Sequence, residues 1–475
     1  MRICIVAEGS YPYVMGGVSS WIQMLVKEMP EHKFIIYAIG AYEKDRGRFK
    51  YDMPKNIIEI RETFLDLYLN EKGESNKRYT ITDEERIAIK SLMAGEDFQW
   101  KYLIDFIDKY KFNSVSDFLM SKEFFDMARE VSEGKYTNIV FNDFFWTIRS
   151  MILTLFEIMR VDIPKADIYH SVSTGYAGII AALGKYRYGS PMILTEHGIY
   201  TREREEEIIK ADWINGYLKD IWISYFHSIS RYAYQYSDIA VSLFERNRQI
   251  QIELGCDVRK TIVIPNGVNY NNYRNIDTSR KDNKSIYVGF VARIVQIKDI
   301  KTVIQGFAIA TEEIKSIKLF IMGPSDEDEE YHEECKNLVE CLGLNNVIFT
   351  GNVNVTDYIG KMDILVLGSI SEGQPLAVLE GMAAGKPHIL TDVGSCRELM
   401  EGINDEFGVA GIVVSVMDYE AIGHSIIKLS KDKILRANMG RNAKSRVSSL
   451  YTTESFINNY KRLYKEVVDK NIWQV

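Results

Sequence analysis

A regular alternation of short apolar runs with helical segments fills the second half of this 475-residue chain. The pattern predicts strands near 286–291, 317–322, 347–350, 363–367, 388–390 and 411–414, with helices around 299–312, 329–342, 375–384 and 418–430. Parallel strands need a crossover between neighbours, usually a helix, so this order predicts a doubly wound α/β sheet.

The first half begins the same way. An apolar run from Ile3 to Ala7 precedes a turn with Gly16-Gly17, an amphipathic helix from Val18 to Glu28 and a second run from Phe34 to Ile39. Four more strand-like runs follow, at 167–170, 191–195, 239–241 and 261–264. Because 475 residues exceed one ordinary core, we expect an α/β protein of two Rossmann-like domains facing a cleft.

Changes in composition along the chain suggest the domain boundaries. Charged and aromatic helical segments fill about 65–159 and predict a helical insertion in a first domain of residues 1–272. A polar segment without periodicity, 269–284, is the best linker to a second domain of residues 273–452. The last helix lies within 453–475 and is expected to cross back to the first domain.

Composition excludes several classes of function. A formal net charge of −8 disfavours non-specific nucleic-acid binding. The five scattered cysteines favour a reduced cytosolic protein over a disulfide framework. The opening apolar run is too short for a signal peptide, and no window holds the eighteen or so uninterrupted apolar residues of a membrane span. We therefore expect a cytoplasmic protein, working free or at the inner face of the membrane.

Two glutamates eight positions apart flank the start of a small-residue helix. Glu372 lies in the loop before it and Glu380 one to two turns inside it, while Pro375 suits the first helical turn. The amides of Leu376 and Ala377 then point out of the positive helix end, which favours phosphate. Carboxylates bind hydroxyls, so the segment suits a ligand that is part sugar and part diphosphate.

Two cations follow the first strand of the second domain. Arg293 and Lys298 are five residues apart and can both reach one diphosphate, although two such residues alone more often form a solvated loop. The D-x-D of Asp326 and Asp328 belongs to an acidic run that fits a helix cap better than a metal site. We expect no metal, with the two cations and the helix amides neutralising the diphosphate.

The first domain offers His197 at the carboxyl end of an apolar strand, with His170 as the weaker candidate. The position of His197 is compatible with a functional role and with a structural one. Gly16 and Gly17, in the first strand–helix turn, let a phosphate or sugar approach the backbone. The turn is not G-x-G-x-x-G and no acidic residue closes the second strand, so a nicotinamide dehydrogenase is disfavoured.

These residues resemble the GT-B glycosyltransferases of family GT4. Glu372 and Glu380 match the E-x7-E motif, and the segment from Arg293 to Lys298 is similar to the G-R-x4-K phosphate grip. The chain also resembles the family at Gly16-Gly17 and at 264–268. Within the family, 8–21 and 195–203 resemble the PelF-type enzymes of exopolysaccharide synthesis.

The resemblance implies a role for each candidate. It implies that Glu372 and His197 contact the donor sugar near the reacting carbon, and that Glu380 accepts the ribose hydroxyls. The implied donor-binding set consists of Gly16, Gly17, Arg293, Lys298, Gln374, Leu376, Ala377 and Glu380. Pro375 departs from the family's frequent glycine, which moves one diphosphate contact to Leu376 or Ala377.

The predicted activity is a metal-independent transfer of a hexosyl unit, with retention, from a UDP-sugar to a growing exopolysaccharide. UDP-glucose is the leading donor, and the UDP-sugar is a substrate, so no cofactor is expected. The other expected partners are a polysaccharide or oligosaccharide acceptor and a membrane-bound synthesis and export complex. Two alternatives stay open: a UDP-sugar 2-epimerase on the same fold, and a catalytically silent UDP-binding assembly subunit.

Overall fold

The computed structural model describes residues 1–68, 78–110, 114–280, 282 and 284–472. Its chain divides into two compact units. The first contains 1–242, 247–262 and the described part of the chain from Lys461, and the second contains 243–246 and 263–460.

The first unit is built on a parallel sheet. Seven strands form it among the described residues, in the order β3-β2-β1-β4-β5-β6-β7. They are β1 (Arg2–Glu8), β2 (Lys33–Gly40), β3 (Ile57–Phe64), β4 (Ile168–Ser171), β5 (Met192–Glu196), β6 (Ile239–Ser242) and β7 (Thr261–Val263). The central strands are apolar runs buried on both faces, as a sheet covered by helices requires.

Helices cover this sheet and fill the insertion. They are α1 (Gly17–Lys27), α2 (Asp83–Ala94), α3 (Trp100–Tyr110), α4 (Val115–Leu119), α5 (Lys122–Lys135), α6 (Phe141–Met159), α7 (Tyr176–Tyr188), α8 (Tyr200–Lys210), α9 (Lys219–Tyr236) and α10 (Glu245–Glu253). Thr82 and Glu85 form a capping box that starts α2, and Gly95, with φ 66°, ends it. Buried Phe106, Phe118 and Phe156 join the insertion to the core beneath β1.

The second unit contains a six-stranded parallel sheet in the order β10-β9-β8-β11-β12-β13. Its strands are β8 (Ile286–Val291), β9 (Ile317–Met322), β10 (Val347–Gly351), β11 (Ile364–Leu367), β12 (His388–Thr391) and β13 (Gly411–Val414). Its helices are α11 (Ile300–Glu313), α12 (Glu329–Cys341), α13 (Thr356–Ile359), α14 (Leu376–Ala383), α15 (Cys396–Glu401), α16 (Tyr419–Lys431) and α17 (Lys433–Leu450); α18 (Thr453–Ile472) follows.

These two sheets confirm the predicted fold class. The six strands predicted for the second unit all form, each within a residue or so of the expected bounds. Elements that the sequence pattern did not predict include β3, α13, α15 and the long helix α17. In the described ranges, no helix has the length and apolarity needed to cross a membrane.

The division between the units lies at 262/263, whereas the sequence predicts 272/273. The segment after β7 is tied to the second unit by its backbone: Val268 N–H donates to the Tyr451 carbonyl at 2.9 Å. A Cβ on Gly267 would lie 2.3 Å from the Thr452 carbonyl oxygen, so this approach requires glycine. Tyr273 is buried in the same apolar cluster.

Candidate functional site

The carboxyl ends of the second unit's strands carry the first set of candidate residues. Ile294 N–H donates to the Pro324 carbonyl at 2.9 Å, and Ile370 N–H donates to the Ile297 carbonyl at 2.9 Å. The loops after β8, β9 and β11 therefore lie against one another. Gly323, with φ 156°, makes this possible, because a Cβ there would lie 1.9 Å from the Ala292 carbonyl oxygen. Doubly wound sheets bind ligands at this edge.

Lys298 and Glu372 are in direct contact at that edge. The Lys298 ammonium donates to Glu372 Oε1, and the Ser369 hydroxyl donates to the same oxygen at 2.6 Å. The Lys298 and Glu372 side chains are 18% and 10% exposed, so the pair is largely shielded from solvent. The structure thus joins the predicted phosphate ligand to the predicted sugar ligand, and an arriving anion would compete with Glu372 for the ammonium.

Arg293 is held by a different carboxylate. Its Nη1 donates to Glu327 Oε1 at 2.6 Å and also contacts Oε2. Glu327 follows β9, in the acidic run of the D-x-D, and both side chains are more than half exposed. Asp328, next in the chain, caps α12 by accepting from Tyr331 N–H at 3.1 Å, as predicted.

The start of α14 provides backbone donors. The helix begins at Leu376, one residue later than predicted, because Pro375 is the N-cap. Val378 and Leu379 N–H both donate to the Pro375 carbonyl, at 3.2 and 3.4 Å. The amides of Leu376 and Ala377 are therefore the outward donors of this first turn, at its positive end.

Gln374 fixes the loop that leads into α14. Its side-chain oxygen accepts from the backbone N–H of Asn266 at 2.6 Å, and both residues are buried. On the other side, a Cβ on Gly394, with φ 51°, would lie 2.1 Å from the Gly373 carbonyl oxygen. The geometry therefore gives Gln374 a positioning contact, and its predicted contact with the donor stays a prediction.

Glu380 lies on α14, one turn beyond the helix start. Burial raises the pKa of its carboxyl, and a hydrogen bond from Tyr273 opposes that rise. The same contact, together with burial, raises the pKa of the Tyr273 hydroxyl. A partly buried carboxylate with one hydroxyl partner still has capacity to accept bonds from further hydroxyls.

In the first unit, His197 directly follows β5 and packs against α1. Its ring lies edge-on to Trp21, with centroids 4.8 Å apart. Burial lowers the pKa of His197 to about 4, so the imidazole is neutral near pH 7. Its Nε2 is shielded from solvent and finds no partner among the described residues. A neutral ring with an unsatisfied nitrogen is available to bind a hydroxyl.

His170 has a structural role. It is fully buried, and its two ring nitrogens bond the hydroxyls of Tyr464, at 2.7 Å, and Thr195, at 2.8 Å. Burial, with a smaller effect from His197, lowers the pKa of His170 to about 3.

Gly16 and Gly17 open α1 on the surface. Gly16 is the N-cap and both glycines are exposed, with open space where a Cβ would stand. Trp21, one turn further along α1, connects this helix start to His197. The backbone there is accessible to a ligand, as the sequence analysis expects.

Three contacts at the second unit's edge were missed from the sequence: Ser369 on Glu372, Asn266 on Gln374 and Tyr273 on Glu380. Ser369 could have been found, since it lies two residues beyond a strand end and three before Glu372. Asn266 and Tyr273 lie in the stretch that the sequence analysis compares with the family at 264–268 and interprets as the interdomain linker at 269–284. Nothing in the sequence around Asn266 or Tyr273 indicates these partners, which lie 108 and 107 residues further along the chain.

Among the described residues, no group of three or more His, Cys, Asp or Glu side chains is arranged to hold a metal ion.

Comparisons with known proteins agree with this geometry. Residues 1–259 match the family described as "Domain of unknown function (DUF3492)", more than half of the chain, and the chain belongs to that family. Residues 272–446 match "Glycosyl transferases group 1". That match covers the sheet edge that carries Lys298 and Glu372. It confirms the prediction that the chain contains a glycosyltransferase domain.

Curated relatives match a limited segment. N-acetyl-alpha-D-glucosaminyl L-malate synthase of Bacillus anthracis is 33% identical over 138 residues, which is 28% of this chain and 35% of that protein. The lipopolysaccharide core biosynthesis mannosyltransferase LpsB of Rhizobium meliloti is 29% identical over 126 residues, 26% of this chain and 35% of that protein. The chain thus spans about a third of the length of these relatives.

Solved structures share the fold over the whole chain. Anabaena Alr3699/HepE in complex with UDP has a TM-score of 0.62 and 14% identity, covering 98% of this chain and 100% of its own. Sucrose-phosphate synthase from Thermosynechococcus elongatus has a TM-score of 0.61 and 14% identity, covering 99% of each chain. Both are GT-B structures, and the present fold is of that type.

Proposed function

We propose that this protein is a retaining, metal-independent hexosyltransferase that uses a UDP-sugar, with UDP-glucose as the leading donor. The observation that supports this best is the contact between Lys298 and Glu372 beside the start of α14. It puts one ammonium, one carboxylate and outward helix amides at a single sheet edge. A nucleoside diphosphate sugar requires that combination of anion and hydroxyl ligands.

In this proposal the diphosphate is bound by the Lys298 ammonium and the amides of Leu376 and Ala377. Arg293 also binds it once the diphosphate has displaced Glu327. Gln374 holds the loop and adds a donor contact, while Glu380 accepts the ribose hydroxyls. Glu372, released from Lys298, faces the sugar and stabilises the positive charge that develops on its ring. The bond between the anomeric carbon and the diphosphate breaks, and its electron pair leaves with UDP. The acceptor hydroxyl attacks the same face of the sugar, and the leaving phosphate takes its proton.

The proposal also gives roles to three residues of the first unit. His197, neutral at pH 7, bonds a sugar hydroxyl near the reacting carbon, and Gly16 and Gly17 let the phosphates approach the start of α1. HepE has been solved with UDP and with UDP-glucose, and we extend that nucleotide to this chain as part of the proposal. The acceptor is a growing exopolysaccharide, as in the PelF-type enzymes, made in the cytoplasm beside a membrane-bound synthesis complex.

The test supplies the purified chain with UDP-glucose and other UDP-sugars and measures UDP release and polymer, with and without EDTA. We expect turnover that EDTA leaves unchanged and that Lys298→Ala abolishes. Lys301→Ala is the control, because the Lys301 ammonium pairs with Glu334 on α12. Conversion of UDP-N-acetylglucosamine to its epimer without acceptor would replace the proposal by the epimerase alternative. Nucleotide binding without turnover on any donor would leave the silent subunit.

A further inference from the structure

A pocket of about 160 Å³ opens between α8 and α9 in the first unit, and none of the residues assigned above lines it. Its lining includes Arg204, Glu207, Ile208, Trp213, Trp222 and Phe226. Small-molecule sites combine apolar walls with a few polar groups, and this lining has both.

Aromatic rings form two walls of this pocket. The Trp213 and Trp222 rings stand nearly perpendicular, at 79° and 5.8 Å between centroids, and Phe226 stacks on Trp222 at 25° and 6.1 Å. Trp213 is 75% exposed, an unusual state for the largest apolar side chain. Exposed aromatic surface with a polar rim marks an interaction site.

A charged pair forms the polar wall. Arg204 forms an ion pair with Glu207, one turn further along α8, at 2.8 Å between Nη1 and Oε2, and its guanidinium lies 5.2 Å from the centre of the Tyr200 ring. The Tyr200 hydroxyl in turn donates to Glu8, the last residue of β1, at 3.3 Å. This wall is therefore continuous with the carboxyl edge of the first sheet, where such sheets bind ligands.

We propose that this pocket, the α8–α9 pocket, binds one sugar ring of the acceptor saccharide, an inference that rests on the proposed function. A pyranose has a face of C–H bonds that packs flat on an indole, and hydroxyls around its rim that bond a guanidinium and a carboxylate. The pocket supplies both kinds of surface. The four glutamates of α8 outnumber its cations, Arg202, Arg204 and Lys210, so the helix is net acidic and favours an uncharged saccharide over an anionic lipid surface.

The experiment measures binding of cello-, chito- and maltotetraose to the full chain by saturation-transfer NMR. Trp213→Ala should weaken the best-bound tetraose by roughly tenfold, the scale of one lost aromatic contact. Trp146→Ala is the matched control, because Trp146 is a half-exposed tryptophan on α6 outside the pocket. Because Trp213 is largely exposed, its replacement leaves the core intact, and unchanged thermal unfolding verifies this.

UDP binding and release, measured on the same samples, separate this inference from the proposed function. Saccharide binding that Trp213→Ala weakens while UDP affinity is unchanged supports the α8–α9 pocket. Binding that survives the substitution, or no binding of any tetraose, overturns it, even if UDP release is normal. Loss of binding to phosphatidylserine vesicles in Trp213→Ala, without an effect on saccharides, also overturns it in favour of a membrane contact. Absent UDP binding in the wild type refutes the proposed function instead.

Discussion

Arg293 Nη1 donates to both carboxylate oxygens of Glu327 and so joins the loops that follow β8 and β9. The pair is exposed on both sides, so its own contribution to stability is small, about 0–1 kcal/mol. Its consequence lies in binding: an incoming diphosphate must displace one carboxylate before it gains the guanidinium.

Glu327→Gln should therefore tighten UDP binding. The amide keeps the size of the side chain but removes its charge, which frees Arg293 and removes a repulsion. We expect a Kd lower by about two- to fivefold, the equivalent of up to roughly 1 kcal/mol, measured by calorimetry. Glu334→Gln is the control, since Glu334 pairs with Lys301 at 2.6 Å in a similarly exposed setting. Weaker binding in Glu327→Gln would mean that Glu327 itself contacts the nucleotide.

Substitutions at Lys298 and Glu372 should separate UDP affinity from turnover. Lys298→Ala removes a phosphate ligand, so both UDP binding and turnover fall. Glu372→Gln frees the ammonium, so UDP binding is unchanged or tighter, while turnover falls by about 10²-fold because charge stabilisation on the sugar is lost. Calorimetry and UDP release on both variants check this. Equal losses of affinity in the two variants would contradict the assigned roles.

The sequence predicts the fold well for a physical reason. Each strand of the second sheet is a short apolar run ended by glycine, proline or polar residues, and the runs alternate with helices. The sequence did not predict β3 because β3 is an edge strand. Glu59, Arg61 and Glu62 interrupt its apolar residues, and most of the strand is only half-buried. The sequence did not predict α17 because its hydrophobic pattern is weak, with few buried positions along its 18 residues.

The candidate site was predictable only to the level of the sheet edge. The motif spacing places Arg293, Lys298 and Glu372 at the carboxyl ends of neighbouring strands. It does not specify that Lys298 binds Glu372 or that Arg293 turns to Glu327. Such pairings depend on rotamers and loop packing across 74 and 34 positions of chain, and no local pattern encodes them.

The raised pKa of Glu380 gives UDP binding a pH dependence. Its carboxyl gains a proton at a higher pH than an ordinary glutamate, because burial disfavours the charged form. UDP affinity should therefore weaken as the pH falls toward that pKa, as the ribose hydroxyls lose an anionic acceptor. Calorimetry at several pH values should show this slope in the wild type and in Glu420→Gln, an exposed control. Glu380→Gln should bind more weakly at neutral pH, with the slope removed.

The buried histidines predict how stability responds to acid. Burial lowers the pKa of His170 to about 3 and that of His197 to about 4, whereas an unfolded histidine titrates near 6.5. Between pH 6.5 and 4 the unfolded chain therefore binds protons that the folded chain does not, and stability falls as the pH falls. Denaturant unfolding at pH 7 and 4.5 should show a smaller loss in His170→Gln than in His424→Gln, an exposed control. Equal losses would assign the acid sensitivity to other groups.

Arg446 should be the most costly single charge to remove from the second unit. Its side chain is fully buried on α17 and donates to both carboxylate oxygens of Asp405, at 2.8 and 2.9 Å, and to three backbone carbonyls. Arg446→Met leaves that carboxylate and those carbonyls without their donor, so we expect a loss of about 3–5 kcal/mol in the free energy of unfolding. Replacing Arg441, an exposed arginine on the same helix, by Met should change the free energy of unfolding by less than about 0.5 kcal/mol.

The Arg446 contact also lowers the pKa of Asp405, so the stabilisation from this pair is present at neutral pH and lost as acid protonates that carboxyl. Urea unfolding of both variants at pH 7 measures the difference, and a small effect at Arg446 would show that water replaces the guanidinium at little cost.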